Sequence, residues 1–313
     1  MTTQSSDLTV ILHLLRGAVP ERADDISRLW AKYGHAVEVS PDTEGVTMNA
    51  DAKRIQFDIK TIDFFWLLGF SVWRAIEVYA PALDIATSTR IPLDQALSID
   101  AERDQYEFDF KQRIGSSKSL IGAQQTTDIQ WPADVPQPTA DRNSLTDAKH
   151  IATFDLVAMA LAFTLLHEFR HVMFCTDNNV PATLPEEEIA CDAWARDYMI
   201  SGLAAYAQQN GHSYAQVQQK RAMGITLAAA TIHVITPSHA HWGGRQYPPI
   251  AERLTTMIGG YNLSADSPFW VFTSCLLIAL MRQEHRPLDI VASSNQEMVE
   301  ALLEALRSFR SVS

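Results

Sequence analysis

The sequence predicts an α+β protein: a small N-terminal antiparallel sheet followed by a mainly helical domain. Three observations point there. Residues 7–15, 35–40, 45–49 and 54–59 alternate apolar with polar side chains or carry β-branched ones. From Ile62 onward the apolar positions change to helical spacing. Farther along, residues 114–143 are rich in Ser, Thr, Gln and Pro and show little periodicity. The chain therefore divides into an N-terminal α+β region over 1–113, a linker or long loop over 114–143, and a helical domain over 144–313.

Each element has its local reason. "PDTEG" at 41–45 and "NAD" at 49–51 supply turns between the later strands. A helix runs from Ile62 to about Tyr79 and stops before Pro81, which cannot continue the hydrogen-bond ladder. Ser144 with Asp147 resembles a capping start for a long helix through Phe174, whose first half is apolar all round, as a central helix should be. "CTDNNVPATLP" breaks it, and Pro185 suits the first turn of the next helix. Helices over about 214–234, 269–282 and 294–309 follow, the last with a Ser294/Glu297 capping box.

Composition excludes several function classes. A chain of 313 residues, 47% hydrophobic, can bury a large core. A net charge of −12 argues against a nucleic-acid footprint, which needs clustered Lys and Arg. Three scattered cysteines without a C-x-x-C make neither a disulfide framework nor a cysteine metal site, and fit a reducing cytoplasm. The start "MTTQSSDLTV" lacks a signal peptide's basic and apolar regions. The apolar stretches Ile151 to Leu166 and Pro268 to Met281 fall short of the roughly 20 residues of a bilayer span. They read as buried helices. "FFWLLGFSVW" at 64–73 reads as core, leaving room for a peripheral membrane contact.

Chemistry concentrates in "LLHEFRHVMF", residues 165–174. His167 and His171 are four apart and share one face of a helix, so both imidazoles can bind one zinc ion. Glu168 lies a quarter-turn round, badly placed to be a ligand but well placed to act as a base on the attacking water. The bland alternative is a pair of satisfied histidines on a buried helix. A third ligand on a neighbouring element decides against it. "PEEEIACDAWARDY" opens the next helix after a loop long enough to reverse the chain, and on it Glu188 and Asp192 are i and i+4. Glu188 is the expected third ligand, and Asp192 the expected acceptor for the spare N–H of a liganding histidine. Glu186 and Glu187 read as ordinary acidic residues at a helix N-terminus.

"HEFRH" followed at short distance by "EIACD" resembles the gluzincin metallopeptidases, whose paired signature is H-E-x-x-H then E-x-x-x-D. The "HEFRHVMF" to "CDAWA" interval is also similar to the phage-exclusion Lit-type peptidases of bacteria. In "YPPIAERL", Tyr247 stands where membrane-associated gluzincins carry a histidine, and Arg253 stands where they carry an arginine. The resemblance implies a zincin-like helical domain, a zinc cofactor, hydrolysis of a peptide bond in an intracellular protein, and Arg253 supporting the ligands. The departure at Tyr247 leaves the donor to the oxyanion open between Tyr247 and His241, both in the glycine-bearing loop "SHAHWGGRQY".

The expected function is thus a cytoplasmic zinc endopeptidase acting on a protein or peptide, with no nucleic-acid partner and no transmembrane span. Two other classes compete. A non-catalytic, metal-clamped binding module of a phage or defence system would have no use for Glu168. A zinc amidohydrolase of small amides, such as a deformylase, draws on an upstream cysteine, and no cysteine precedes Cys175.

Overall fold

The computed structural model describes residues 3–34, 36–39, 46, 48–51, 54–58, 60–99 and 103–308. Most of these are helical, and the only sheet among them has three short strands, which overturns the α+β expectation. Residues 7–15, read as a strand, lie inside α1 (Thr3–Ala18). Ile11, Leu15 and Ala18 are buried at helical intervals. In a run this apolar, alternation and helical spacing fit equally well, and length favours the helix. α2 (Ala23–Tyr33) follows and ends on Gly34, whose φ of 41° is the left-handed cap position.

The strands are β1 (Ala36–Val39), β2 (Met48–Ala50) and β3 (Arg54–Phe57), in spatial order β1-β3-β2. β2 pairs antiparallel with β3, but β1 pairs parallel with it, so the sheet is mixed rather than antiparallel. A turn closed by the Asp51 N–H on the Arg54 carbonyl joins β2 to β3. Residues 35, 40, 45, 47 and 59 of the expected strands, and the "PDTEG" turn, lie outside the described residues.

Ten further α-helices follow among the described residues. They are α3 (Lys60–Thr89), α4 (Leu93–Leu97), α5 (Arg103–Gly122), α6 (Ala148–Asp177), α7 (Leu184–Ile200), α8 (Leu203–Asn210), α9 (Tyr214–Ile235), α10 (Ile250–Ile258), α11 (Pro268–Gln283) and α12 (Asn295–Ser308), with α6 at the centre against α1, α3, α7 and α9. Two glycines set how closely the neighbours approach it. A Cβ on Gly69 of α3 would fall 2.7 Å from Val157 Cγ2, and one on Gly224 of α9 would fall 2.5 Å from Met159 Cβ. Both helices therefore touch α6 backbone to side chain.

Several boundaries differ from the sequence reading. α3 runs on through Pro81 to Thr89, because Ala82, Leu83 and Ala86 prolong the buried stripe of Val78 and Tyr79 and outweigh one lost hydrogen bond. α5 takes in residues 114–122 of the stretch read as a loop. Its buried face is half polar, Glu107, Arg113 and Ser117 alternating with Phe110, Ile114 and Leu120, so hydrophobic periodicity is silent there. α6 is capped by the Asp147 side chain, which accepts from the N–H groups of Lys149 and His150, while Ser144 sits in a preceding 3₁₀ turn. Residue 309 lies outside the described residues. α6 is the one helix among them long and apolar enough to cross a membrane, and most of that apolar surface is buried inside the protein. Phe64, Phe65, Leu67, Leu68 and Phe70 are likewise core.

Candidate active site

Two antiparallel neighbours, α6 and α7, build the centre. The loop between them ends at Thr183, whose side chain accepts from the Glu186 N–H while Glu186 reaches back to the Thr183 N–H. That reciprocal cap starts α7 at the position that turns Glu187, Glu188 and Asp192 toward α6. His167 Nε2 and His171 Nε2 stand 3.2 Å apart. Glu188 lies 3.5 Å from the first through Oε2 and 3.4 Å from the second through Oε1. These three residues could hold one metal ion.

The far nitrogens of both rings meet carboxylates. His167 Nδ1 is 2.8 Å from Asp192 Oδ1, and His171 Nδ1 is 2.6 Å from Glu187 Oε1. A carboxylate only accepts, so His171 Nδ1 carries the proton toward Glu187, whereas His167 Nδ1 lies close to Asp192 without a well-directed hydrogen bond. Arg253, from α10, completes the layer. Its Nε and Nη2 donate to Asp192 at 2.7 and 2.9 Å, and its Nη1 stands 3.0 Å from Glu188 Oε2. α10 is itself fastened to α7 by Arg196, which donates to the carbonyls of Thr256 and Gly259. The structure therefore brings His167, His171, Glu188, Asp192 and Arg253 together.

Glu187 is the residue sequence reasoning passed over. Assigned to the helix N-terminus, it is instead buried against His171, and Glu186 does the capping. The signal was present: on a helical wheel Glu187 sits beside Glu188, on the arc that continues to Cys191 and Asp192.

The electrostatics favour positive charge in the middle. Burial pushes the His167 imidazole down, but the Asp192 carboxylate overrides it and lifts the pKa to about 10. His171 also rises, burial being outweighed by hydrogen bonding to Glu188 together with nearby carboxylates. Burial pushes Glu188 up, and the two imidazoles and Arg253 bring it far below the usual carboxylate range. Asp192 falls for the same reasons, with Arg253 and His167 as its partners. Glu168 moves the other way, raised mainly by its own burial.

A cleft of about 400 Å³ opens over this centre. His167, Glu168, His171 and Glu188 form its floor, β2 lies along one side, and the end of α9 with the loop to α10 forms the other. Tyr247 lines it and is 53% exposed. His241 does not reach the lining. Its Nε2 donates to the Thr236 carbonyl at 2.9 Å and its Nδ1 faces Glu284, so the ring points away from the cleft into the packing between α9 and α11.

The peptidase U49 family model matches residues 55–273, from β3 into α11. The chain belongs to the peptidase U49 family. A U49 peptidase acts on proteins or peptides, and the matched span contains α6, α7, α10 and the loop bearing Tyr247. No curated protein and no solved structure matches the chain.

Proposed function

We propose that this U49 peptidase is a zinc-dependent endopeptidase of the gluzincin type, nearest to the Lit-type enzymes, that cleaves an intracellular protein in the cytoplasm. His167, His171 and Glu188 hold the ion and Glu168 is the general base. One observation carries the reading. Donors about 2.0–2.2 Å from a tetrahedral zinc stand roughly 3.3–3.5 Å from one another. The two inward ring nitrogens stand 3.2 Å apart, and the Glu188 carboxylate spans them, Oε2 at 3.5 Å from His167 and Oε1 at 3.4 Å from His171, with the far nitrogens facing Asp192 and Glu187. Two imidazoles and a carboxylate converging in this way favour positive charge among them.

When bound, zinc supplies Lewis acidity toward the scissile carbonyl and lowers the pKa of a water. The chain's own residues do the rest. Glu168, its carboxyl raised by burial, is suited to take the proton of the attacking water and pass it to the leaving amine. Asp192 and Glu187 fix the ring orientations, and Arg253 holds Asp192 and Glu188 in register. The Tyr247 hydroxyl is the candidate donor to the oxyanion. β2 carries no strand on its outer edge among the described residues, so that edge can pair with an extended substrate backbone along the cleft.

The open cleft supports catalysis over a purely structural ion, for which a closed site suffices. Glu168→Gln tests it. The variant keeps its zinc content and melting temperature and loses proteolysis, read by comparing protein termini in cells expressing either form. Cleavage at wild-type level by Glu168→Gln rules out this mechanism, and loss of zinc makes Glu168 a ligand instead.

A further inference from the structure

We propose that His233, His241 and Glu284 form a second metal site, of the zinc type, which fastens the wall of the cleft. His233 is on the last turn of α9, Glu284 directly follows α11, and His241 belongs to the loop from α9 to α10. Glu284 Oε1 is 3.1 Å from His233 Nε2 and 3.2 Å from His241 Nδ1. These are close to the roughly 3.3–3.5 Å separations of tetrahedral zinc donors. The three atoms lie within reach of a single ion.

The hydrogen-bond bookkeeping leaves a gap that a cation fills. His241 Nε2 faces the carbonyls of Thr236 at 2.9 Å and His233 at 3.3 Å, which can only accept, so Nε2 bears the proton and a neutral His241 points the lone pair of Nδ1 at a carboxylate. A backbone carbonyl on the far nitrogen is the usual support for a metal-binding histidine. His233, 4% exposed, has a buried Nε2 with no hydrogen-bond partner, although Glu284 is close. That oxygen lies off the donor axis, as it would where both atoms converge on a third. The outer oxygen of Glu284 is occupied by Arg286 Nε at 2.5 Å, just as Arg253 occupies Glu188 in the first centre. Two imidazoles and one carboxylate suit zinc and not calcium or magnesium, which prefer all-oxygen shells. The Glu284 side chain is 22% exposed, so water can complete the coordination.

The position gives the ion its role. Thr236, Pro237, Ala240, Tyr247 and Pro248 line the cleft on the segment that His241 anchors. An ion joining His241 to the ends of α9 and α11 therefore fixes the wall that presents Tyr247. Glu284 lies beyond the residues that the family model matches. The inference is independent of the catalytic reading, because it involves none of the same ligands.

The test uses the full chain, stripped with chelator and reloaded with Zn²⁺ alone. Wild type binds two ions, His167→Ala/His171→Ala binds one, and adding Glu284→Gln to that variant leaves none. In crystals of the unmutated chain, an anomalous peak at the zinc edge sits among His233, His241 and Glu284, so the result does not depend on any variant folding. No peak there, with no zinc bound by His167→Ala/His171→Ala, overturns the site and leaves a protonated ion pair in its place. A peak there with the first centre empty upholds this site and sinks the catalytic reading alone.

Discussion

Arg253 grips Asp192 with two parallel hydrogen bonds, 2.7 Å from Nε to Oδ2 and 2.9 Å from Nη2 to Oδ1, and both side chains are buried. Asp192 thereby serves two partners at once, since the same Oδ1 meets His167 Nδ1. Removing the carboxylate frees the ring and strands a buried guanidinium. Asp192→Ala should weaken zinc binding by about 10- to 100-fold and destabilise the fold by about 3–5 kcal/mol. Removing Arg253 as well should recover part of that stability, because no uncompensated charge remains. Denaturant melts of the two single variants and the double variant, with chelator competition for zinc, measure both effects. Strict additivity of the two stability losses would show that the pair is not coupled.

Glu187 and Glu186 are neighbours in sequence with separable duties. Glu187→Gln weakens the hold on His171 Nδ1 and should lower zinc affinity by about tenfold or more with little change in the apo melting temperature. Glu186→Ala breaks the reciprocal cap with Thr183, costing about 0.5–2 kcal/mol, and should leave zinc affinity unchanged. A swap of the two phenotypes would return Glu187 to a capping role.

The centre was legible in sequence wherever spacing alone carries the geometry. His167, Glu168 and His171 share a helix, and Glu188 and Asp192 share the next, so helical periodicity places each set. What spacing does not encode is which way one helix turns toward another. Glu187 was hidden for that reason, and His241 looked available for catalysis until Glu284, distant in sequence, claimed the other side of its ring. The fold failed at a different level. Residues 7–15 are too uniformly apolar to reveal a period, and α5 packs through Glu107 and Arg113, which a hydrophobic pattern counts as surface. The parallel pairing of β1 with β3 is a crossover that local turn signals cannot announce.

Tyr247 lies on the cleft wall with its side chain open to an incoming substrate. If its hydroxyl donates to the oxyanion, the bond matters in the transition state and little in the ground state. Tyr247→Phe should then lower kcat by about 10²- to 10³-fold with KM nearly unchanged. Steady-state kinetics on a cleaved peptide separates the two constants. A rise in KM at constant kcat would reassign Tyr247 to substrate binding.

Acid sensitivity should come in part from a pair remote from the cleft. Glu107 of α5 meets Arg282 of α11 through two hydrogen bonds, 2.8 and 3.0 Å, with Tyr79 of α3 and the cations Arg103 and Lys111 of its own helix around it. Burial raises the Glu107 carboxyl, but the hydrogen bonds and charge of Arg282, helped by Lys111, hold it below its ordinary 4.5. The folded protein therefore binds this proton more weakly than the unfolded chain does. The stability it contributes is complete above that ordinary value and is lost as pH falls through the lower folded value. Glu107→Gln should cost about 1.5–3 kcal/mol at pH 7, the worth of a hydrogen bond to a charged group. The gap between wild type and variant should narrow steadily below pH 4.5. Denaturant melts of both proteins at several pH values read it directly, and a gap that stays constant down to acid unfolding would mean that Glu107 stabilises by packing and not by its charge.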